Sequence, residues 1–492
     1  VITPQATTPI KINKVPPVIR IMIRRSALGI IFRNRIRLLS FAKKGFAAPE
    51  SNRFLHHLSK GKLYFDNSND TLCVDWGEGK GKGKLSLTWL RLQCQSVVHS
   101  SGQRVVFPGD LRPEQCQIKS ICATEGSDEM LVYWNDGHQS IYSLSKLYKI
   151  NGPTPDELLL KRQEQSRPTA LREADGIPMI NYKDIIASEQ GLYQWLEHQV
   201  EKGLCIVQDC PKTENSVKEL ASLISPISHS YLYGEVFDVV SEANAVNIAY
   251  TNLRLRLHSD LPYYESVPGY QYLHCLRNDA GVAGGRSEFL DAFAAAQHLR
   301  DSDPEAFEVL CRVPATFQKV RGPDHTPNVA RPGEGEGAAG RPPAYYASHM
   351  VAQRPHIELD TYGEIVAVTW SPPFEGVLQV PFEDIKPYYA AYRRFQAIIE
   401  SSAFASEHTL HHRLAPGELA CFNNRRVLHA RAAFEYRDPE ARRHLQGTYL
   451  NSDEVLSRYL VLKQGQIERD GSEDGISIKF TARIGNKTIP ML

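Results

Sequence analysis

Several common signals are missing from this sequence of 492 residues, and each absence excludes a class of protein. No run of about 18 uninterrupted apolar residues occurs, so we expect no membrane-spanning helix. The 57 basic and 56 acidic residues nearly cancel, which leaves no bulk attraction to nucleic acid or membrane. The nine cysteines are odd in number and scattered, which argues against a disulfide framework and favours a reducing compartment. Neither GxGxxG nor a P-loop is present, so a nucleotide-binding fold is not indicated.

Acidic residues are also missing from positions 1–49, where ten basic residues stand among apolar ones. Arginine-rich, acid-free segments of this kind are typical of a mitochondrial presequence, although a basic arm without a targeting role has the same composition. We therefore predict a mitochondrial protein, with the cytoplasm as the alternative, and set residues 1–49 apart from the fold.

The remaining chain predicts a mainly β protein with helical insertions. Short β-branched and aromatic runs, KLSLTWLRL among them, predict a small β-rich domain over 52–150. A second domain, 175–465, combines strand-like pieces such as NAVNIAYT, YQYLHCL and GELACFN with helical segments such as SEFLDAFAAAQHL. Residues 321–344 are too rich in Gly, Pro and charge to form a core and predict a surface loop, and 466–492 form a C-terminal tail.

The first candidate for chemistry is the triplet His258-Ser259-Asp260. It follows the alternating run TNLRLRL, and alternation places His258 and Asp260 on one face of an extended chain, where both can hold one metal ion. The triplet alone is not specific. With 17 His and 56 acidic residues, about two His-x-Asp/Glu triplets are expected by chance, and the second is His356-Ile357-Glu358.

Residues far downstream favour the first triplet. His429 ends the apolar run VLH after the polar turn Asn423-Asn424, and Arg443 lies in a further strand-like stretch. A third, distant histidine completes the two-His, one-carboxylate arrangement that leaves one face of an iron ion open. The arginine can pair bidentately with a carboxylate of a dicarboxylic cosubstrate.

Six ordered motifs give the sequence a definite resemblance. It is similar to the γ-butyrobetaine and trimethyllysine dioxygenase family, within the taurine-dioxygenase-like group, over residues 175–463. The motifs are NIAYT (247–251), HSD (258–260), LHCL (273–276), GGRSEFLDAF (284–293), FNNRRVLHAR (422–431) and RHLQGTYLNSDEVLSR (443–458).

This resemblance implies a double-stranded β-helix (jelly-roll) core with iron(II) held by His258, Asp260 and His429. It further implies 2-oxoglutarate bound by Arg443 with Ser287 nearby, ascorbate as reductant, and a homodimer. A binding module on the same fold without catalysis is the alternative from another class.

The resemblance also implies a substrate with a quaternary ammonium group, which has no N–H and is recognised by aromatic faces. The family's aromatic cage corresponds to Tyr233, Phe237, Tyr250 and Tyr449, and Asn247 is a candidate for the substrate's carboxylate. Phe237 departs from the family, which more often has Trp there. We predict hydroxylation of γ-butyrobetaine to L-carnitine, with trimethyllysine as the alternative substrate.

In the family, the N-terminal domain carries a zinc ion held by three cysteines and a histidine. This chain keeps Cys94 and His138, whereas Ser96 and a valine stand at the other two positions and His99 is a possible replacement. Because structural zinc needs four ligands, a zinc site is doubtful here.

Overall fold

The computed structural model divides the chain into two units, Val1–Ser51 and Asn52–Leu492. It describes residues 53–490 except 59–60, 67–69, 77–81, 124–127, 152–169, 228–231, 242–247, 322–347, 361–362, 471–480 and 485–486. The predicted presequence, Asn247 and nearly all of the 321–344 segment therefore lie outside the described residues. No described helix combines the length and apolar character needed to cross a membrane.

The N-terminal region contains two antiparallel sheets, in the orders β1-β2-β3-β4 and β5-β6-β7. Their strands and helices are β1 (Arg53–Leu58), β2 (Gly61–Asp66), β3 (Thr71–Asp75), β4 (Lys82–Ser86), α1 (Leu87–Leu92), β5 (Ile118–Ala123), β6 (Glu129–Trp134), β7 (Gln139–Ser143) and α2 (Leu144–Asn151). The predicted strand KLSLTWLRL is thus wrong after Ser86, because the Ser86 side chain accepts a hydrogen bond from the Trp89 N–H and caps a helix.

Two facing sheets form the centre of the larger region. Its strands are β8 (Met179–Asn181), β9 (Leu204–Gln208), β10 (Phe237–Val240), β11 (Leu255–His258), β12 (Tyr270–Asn278), β13 (Val282–Gly284), β14 (Ser287–Asp291), β15 (Ala315–Arg321), β16 (Ser348–Arg354), β17 (Ile357–Leu359), β18 (Ile365–Val368), β19 (Thr409–His412), β20 (Leu419–Asn423), β21 (Val427–Arg431), β22 (Phe434–Tyr436), β23 (Arg443–Leu450), β24 (Thr481–Ile484) and β25 (Lys487–Pro490). The major sheet has the order β10-β23-β12-β20-β9-β8 and the minor sheet β11-β21-β14-β19.

Helices cover the outer faces of this sandwich. They are α3 (Tyr182–Ala187), α4 (Glu189–Glu197), α5 (Ser216–Ala221), α6 (Ala292–Ser302), α7 (Pro304–Arg312), α8 (Phe382–Glu400), α9 (Ser402–His408) and α10 (Ser452–Asp470). The predicted helix SEFLDAFAAAQHL is wrong over its first five residues, which form β14. The helix begins only after Asp291. NAVNIAYT is wrong where it is described, because Ile248–Tyr250 is a short 3-10 helix.

Side chains alternate between the two faces of each central strand, and this alternation explains the layers of the core. Leu204 and Ile206 of β9 pack between the sheets with Phe289 and Val427 from the minor sheet. The residues that follow them, Cys205 and Val207, lie on the opposite face of the sheet and pack against Trp195 of α4 and Tyr459 of α10. Both faces of the major sheet are therefore buried, which explains the unbroken apolar runs of its strands. The β-rich core agrees with the predicted fold class, within a structure of mixed helix and strand.

A buried ion pair joins the sandwich to its helical layer. Nη2 of Arg426 lies 2.9 Å from Oδ2 of Asp291, and both side chains are 1% exposed. Asp291 also accepts hydrogen bonds from the backbone N–H groups of Leu171 and Phe293, so it caps α6 and anchors the preceding chain. One carboxylate thus organises three segments.

Asp291→Ala should lower the free energy of unfolding by about 3–5 kcal/mol, because it leaves a buried guanidinium without its carboxylate. Urea unfolding followed by circular dichroism measures this loss. Glu435→Ala is the control, since its pair with Arg437 is 73% and 67% exposed and contributes at most about 1 kcal/mol. Equal losses in the two variants would contradict the assignment.

Candidate active site

Two histidines meet where β11 and β21 pair. His258 is the antiparallel partner of His429, and their ring centroids are 4.1 Å apart. Nδ1 of His258 lies 2.8 Å from the carbonyl oxygen of Arg256. A carbonyl only accepts, so Nδ1 carries the proton and Nε2 keeps the lone pair that binds a metal.

Asp260 joins the two histidines by a turn rather than by strand alternation. The strand β11 ends at His258, so the predicted extended geometry through Asp260 is wrong. The Ser259 N–H donates to the Trp370 carbonyl at 2.7 Å, and the Trp370 N–H donates to the Ser259 hydroxyl oxygen at 3.1 Å. Leu261 then has a φ of 59°, in the left-handed region. These constraints bend the chain and aim Asp260 at the histidines.

The buried side chain of Asn424 holds the Asp260 backbone from both sides. Its Oδ1 accepts from the Asp260 N–H at 2.8 Å, and its Nδ2 donates to the Asp260 carbonyl at 3.0 Å. Nδ2 also donates to the Pro268 carbonyl at 3.1 Å. Asn424 follows β20 and precedes β21, so the loop that leads to His429 also positions Asp260.

The three side chains converge closely enough to hold one metal ion. Nε2 of His258 lies 3.4 Å from Oδ1 of Asp260, and Nε2 of His429 lies 3.9 Å from Oδ2. One donor atom from each residue lies within 4.8 Å of the other two, and this is the only such trio found among the described His, Cys, Asp and Glu residues. Two imidazoles and one carboxylate form the set that suits iron(II) with open coordination positions.

Burial and the neighbouring side chains set the protonation of His429 and Asp260. Burial lowers the pKa of His429 to about 3, assisted by His258, so the imidazole is neutral and able to bind a metal at neutral pH. Burial alone would raise the pKa of Asp260, but the interactions with both histidines and a hydrogen bond from Tyr449 bring this pKa below its ordinary value. The charged carboxylate of Asp260 and the neutral imidazole of His429 are in the protonation states that metal binding requires.

A buried arginine lies in the same cavity. Arg443 is 6% exposed, and its guanidinium carbon lies 5.3 Å from the centroid of the Phe434 ring. The charged groups that act on it within the described residues are Cys275, Tyr436 and Arg413 rather than a carboxylate, and its Nε has no hydrogen-bond partner there. Burial lowers the pKa of Arg443. A buried cation without an acidic partner fits the distal carboxylate of 2-oxoglutarate, and Ser287 lines the same cavity.

Aromatic rings close the other side of the cavity. Phe237 stacks on Tyr449 with centroids 5.1 Å apart and an interplanar angle of 22°. Tyr233 meets Phe237 edge-on at 5.6 Å and Tyr449 at 6.4 Å. Tyr250 also lines the cavity, at the end of the 3-10 helix.

All of the predicted site residues that the structure describes therefore line one cavity. They are His258, Asp260, His429, Arg443, Ser287, Tyr233, Phe237, Tyr250 and Tyr449. Asn247 lies outside the described residues.

Sequence reasoning missed two supporting residues. Asn424 stands in the polar turn Asn423-Asn424, and a turn residue by itself predicts no contact with Asp260. Arg431 is buried, and its two terminal nitrogens donate to the carbonyls of Ala249, Thr251 and Leu253, on either side of Tyr250. An arginine inside the buried run VLHAR was the available signal, since a buried guanidinium requires several acceptors.

The contacts of His356, from the second triplet His356-Ile357-Glu358, indicate a structural role. His356 is fully buried, with Nδ1 2.7 Å from the Thr369 carbonyl and Nε2 2.8 Å from the Tyr388 hydroxyl. Both ring nitrogens are engaged, and burial lowers the pKa of His356 to about 4. It therefore acts as a neutral hydrogen-bonding group of the core.

The remnants of the family's zinc site also meet in space. Sγ of Cys94 lies 3.3 Å from Nε2 of His138, and the Ser96 hydroxyl lies 3.2 Å from both atoms. Nδ1 of His99 instead contacts the Ser101 hydroxyl at 3.0 Å. No third His, Cys, Asp or Glu of the described chain completes a metal-binding group there.

Comparisons with known proteins agree with this geometry. Residues 165–449 match the model described as taurine catabolism dioxygenase TauD, TfdA family, and residues 64–148 match the gamma-butyrobetaine hydroxylase-like N-terminal model. The chain is 34% identical over 400 residues to gamma-butyrobetaine dioxygenase of Pseudomonas sp. (strain AK-1), covering 80% of this chain and 94% of the relative.

Two further relatives carry other names. The chain is 31% identical to dioxygenase str8 of Strobilurus tenacellus over 397 residues, 77% of this chain and 85% of the relative. It is 26% identical to trimethyllysine dioxygenase of Meyerozyma guilliermondii over 419 residues, 81% and 94% of the two chains. The resemblance that the six motifs indicated is confirmed.

Asn424→Ala should weaken iron(II) binding about tenfold or more, because Asp260 loses the amide that positions it. The loss of three buried hydrogen bonds should also cost about 1–3 kcal/mol of unfolding free energy. Anaerobic equilibrium dialysis measures the affinity. The control is Asn423→Ala, which removes only a bond from the Arg425 N–H to the Asn423 side chain. Unchanged iron affinity in Asn424→Ala would refute the positioning role.

Proposed function

This chain belongs to the TauD/TfdA family of dioxygenases, and on that premise we propose that it hydroxylates γ-butyrobetaine to L-carnitine. The predicted enzyme class is confirmed by the family match over 165–449. The buried triad fits iron(II), and the unpaired arginine beside it fits 2-oxoglutarate. A non-catalytic binding module has no use for this complete donor set.

The observation that carries the substrate proposal is the ring cluster beside the triad. Tyr233, Phe237 and Tyr449 are each under 10% exposed and lie within 6.4 Å of one another by ring centroid. Aromatic faces attract a trimethylammonium group without needing an N–H donor, by about 0.5–2 kcal/mol per favourable contact. Tyr449 also touches Asp260, so the cluster lies directly against the metal ligands.

Each residue receives a role. His258, Asp260 and His429 hold iron(II), while Arg443 and Ser287 bind the distal carboxylate of 2-oxoglutarate. With O2, the bound iron and 2-oxoglutarate supply the oxidising power for C–H hydroxylation, with succinate and CO2 as coproducts. The ring cluster fixes the cation, and its position selects which substrate carbon faces the metal.

The cavity's charges favour γ-butyrobetaine over trimethyllysine. Trimethyllysine carries an α-ammonium group whose charge is matched best by an acidic residue, whereas γ-butyrobetaine has only a carboxylate at that end. Among the described residues that line the cavity, Asp260 is the sole acid, and its position commits it to the metal. The higher identity to a γ-butyrobetaine dioxygenase, 34% against 26%, supports the same choice. Mitochondrial import, the use of ascorbate and homodimer formation stay predictions.

Incubation with iron(II), 2-oxoglutarate, O2 and γ-butyrobetaine should give a product heavier by one oxygen atom, with one succinate per product. Mass spectrometry detects both compounds, and trimethyllysine serves as the competing substrate. His429→Ala should abolish turnover, because two protein ligands do not complete the facial triad. Oxygen insertion into trimethyllysine alone would overturn the substrate, and full activity of His429→Ala would overturn the site.

Phe237→Trp should leave betaine affinity unchanged or strengthen it by up to roughly tenfold, since Trp is the stronger cation binder. Calorimetric titration under anaerobic conditions with cobalt(II) and 2-oxoglutarate measures this affinity. Gly447→Ala is the opposing variant. A Cβ at position 447 would lie 2.3 Å from Cζ of Phe237, so it must displace the ring and weaken binding. Tighter binding by Gly447→Ala would contradict the placement of Phe237.

A further inference from the structure

We propose that the Tyr449 hydroxyl positions the metal ligand Asp260 by occupying its Oδ2 atom, so that Oδ1 alone binds iron(II). The inference rests on the proposed iron site and extends it, because it gives Tyr449 a second role beyond the aromatic cluster. Tyr449 acts here through Asp260 and is a positioning residue.

The contact is short and crosses the sandwich. The Tyr449 hydroxyl donates to Oδ2 of Asp260 at 2.7 Å. Tyr449 lies near the end of β23 in the major sheet, whereas Asp260 follows β11 of the minor sheet. A carboxylate oxygen accepts and the phenol carries the O–H, so Tyr449 is the donor of this bond.

The two carboxylate oxygens of Asp260 are therefore not equivalent. Oδ2 accepts a charge-assisted hydrogen bond, which draws electron density from that atom and restricts its rotation toward a metal. Oδ1 makes the shorter approach to an imidazole donor, 3.4 Å from Nε2 of His258, whereas Oδ2 lies 3.9 Å from Nε2 of His429. Binding through one oxygen leaves the open positions that a facial triad needs for cosubstrate and O2.

The ring and the hydroxyl of Tyr449 have separable tasks. The ring stacks on Phe237 at 5.1 Å and can face a bound cation, whereas the hydroxyl touches the metal ligand. Tyr449→Phe removes only the hydroxyl. Tyr233 offers a matched control within the same cluster, because its hydroxyl lies 3.4 Å from that of Tyr263 and makes no hydrogen bond to Asp260 that the structure records.

The test is anaerobic iron(II) binding by equilibrium dialysis, without betaine, on the full chain. Tyr449→Phe should bind iron(II) about tenfold to a hundredfold more weakly than the wild type, the usual effect of losing a partner of a metal ligand. Tyr233→Phe should stay within roughly twofold of the wild type, since its hydroxyl lies away from Asp260. Wild-type iron affinity in Tyr449→Phe, or an equal loss in both variants, would overturn the proposal.

A second variant separates the hydroxyl from ring packing. Phe237→Leu removes the ring stacked on Tyr449 but keeps the hydroxyl, so it should weaken γ-butyrobetaine binding and leave iron(II) affinity near the wild-type value. A loss of iron affinity equal to that of Tyr449→Phe would assign the effect to packing and contradict the proposal.

If Tyr449→Phe does not fold, as judged by its thermal unfolding curve, site-specific 3-fluorotyrosine at position 449 replaces it. Its more acidic hydroxyl is a stronger donor, and unchanged iron affinity would then count against the proposal.

Different results would overturn the proposed function. A wild-type chain that binds no iron(II) would remove the site itself, whereas one that binds iron(II) but does not oxidise betaine would remove only the substrate.

Discussion

The pairing of β11 with β21 is the interaction on which the rest of the site depends. It sets His258 opposite His429 and so brings two residues that are distant in sequence to one candidate metal site. Side chains alternate along a strand, so a slip of one residue would turn one imidazole to the other face of the sheet. The buried packing of the minor sheet against the major sheet prevents such a slip, which ties the metal site to the stability of the core.

The second constraint is the alternation of side chains along β23, which places every second residue on the same face of the sheet. Arg443 and Tyr449 differ by an even number of positions along the strand, so both face the interior of the sandwich and line the same cavity. One strand therefore presents a buried cation near one end and an aromatic ring near the other. The metal-binding residues reach the same cavity from the minor sheet. The sites proposed for cosubstrate, metal and substrate are thus aligned by ordinary strand geometry.

Much of this arrangement was predictable from local patterns. The runs YQYLHCL and GELACF predicted β12 and β20, because strands buried on both faces have continuous apolar residues. His429 and Arg443 were found by their place in such runs, and the aromatic positions came from the family resemblance. The errors have local causes as well: Ser86 caps a helix where a strand was expected, and Asp291 caps α6 only after the strand β14, where the helix was expected to have begun already.

The roles of Asn424 and Trp370 were beyond sequence reasoning. Both act on the segment around Asp260 through hydrogen bonds between residues more than a hundred positions apart. Such contacts leave no periodicity or spacing in the sequence, because any polar side chain or backbone carbonyl is able to make them. The second role assigned to Tyr449 was hidden for the same reason, since its ring alone accounts for its place in the family motif.

In the function we propose, this cavity binds iron(II) and 2-oxoglutarate together, with the metal on His258, Asp260 and His429 and the cosubstrate on Arg443. Anaerobic addition of iron(II) and then 2-oxoglutarate, followed by visible absorption, tests it most directly. The account predicts a weak charge-transfer band that is absent in His429→Ala and needs much more 2-oxoglutarate to appear in Arg443→Met. A wild-type chain without this band, or an unchanged band in His429→Ala, would contradict it.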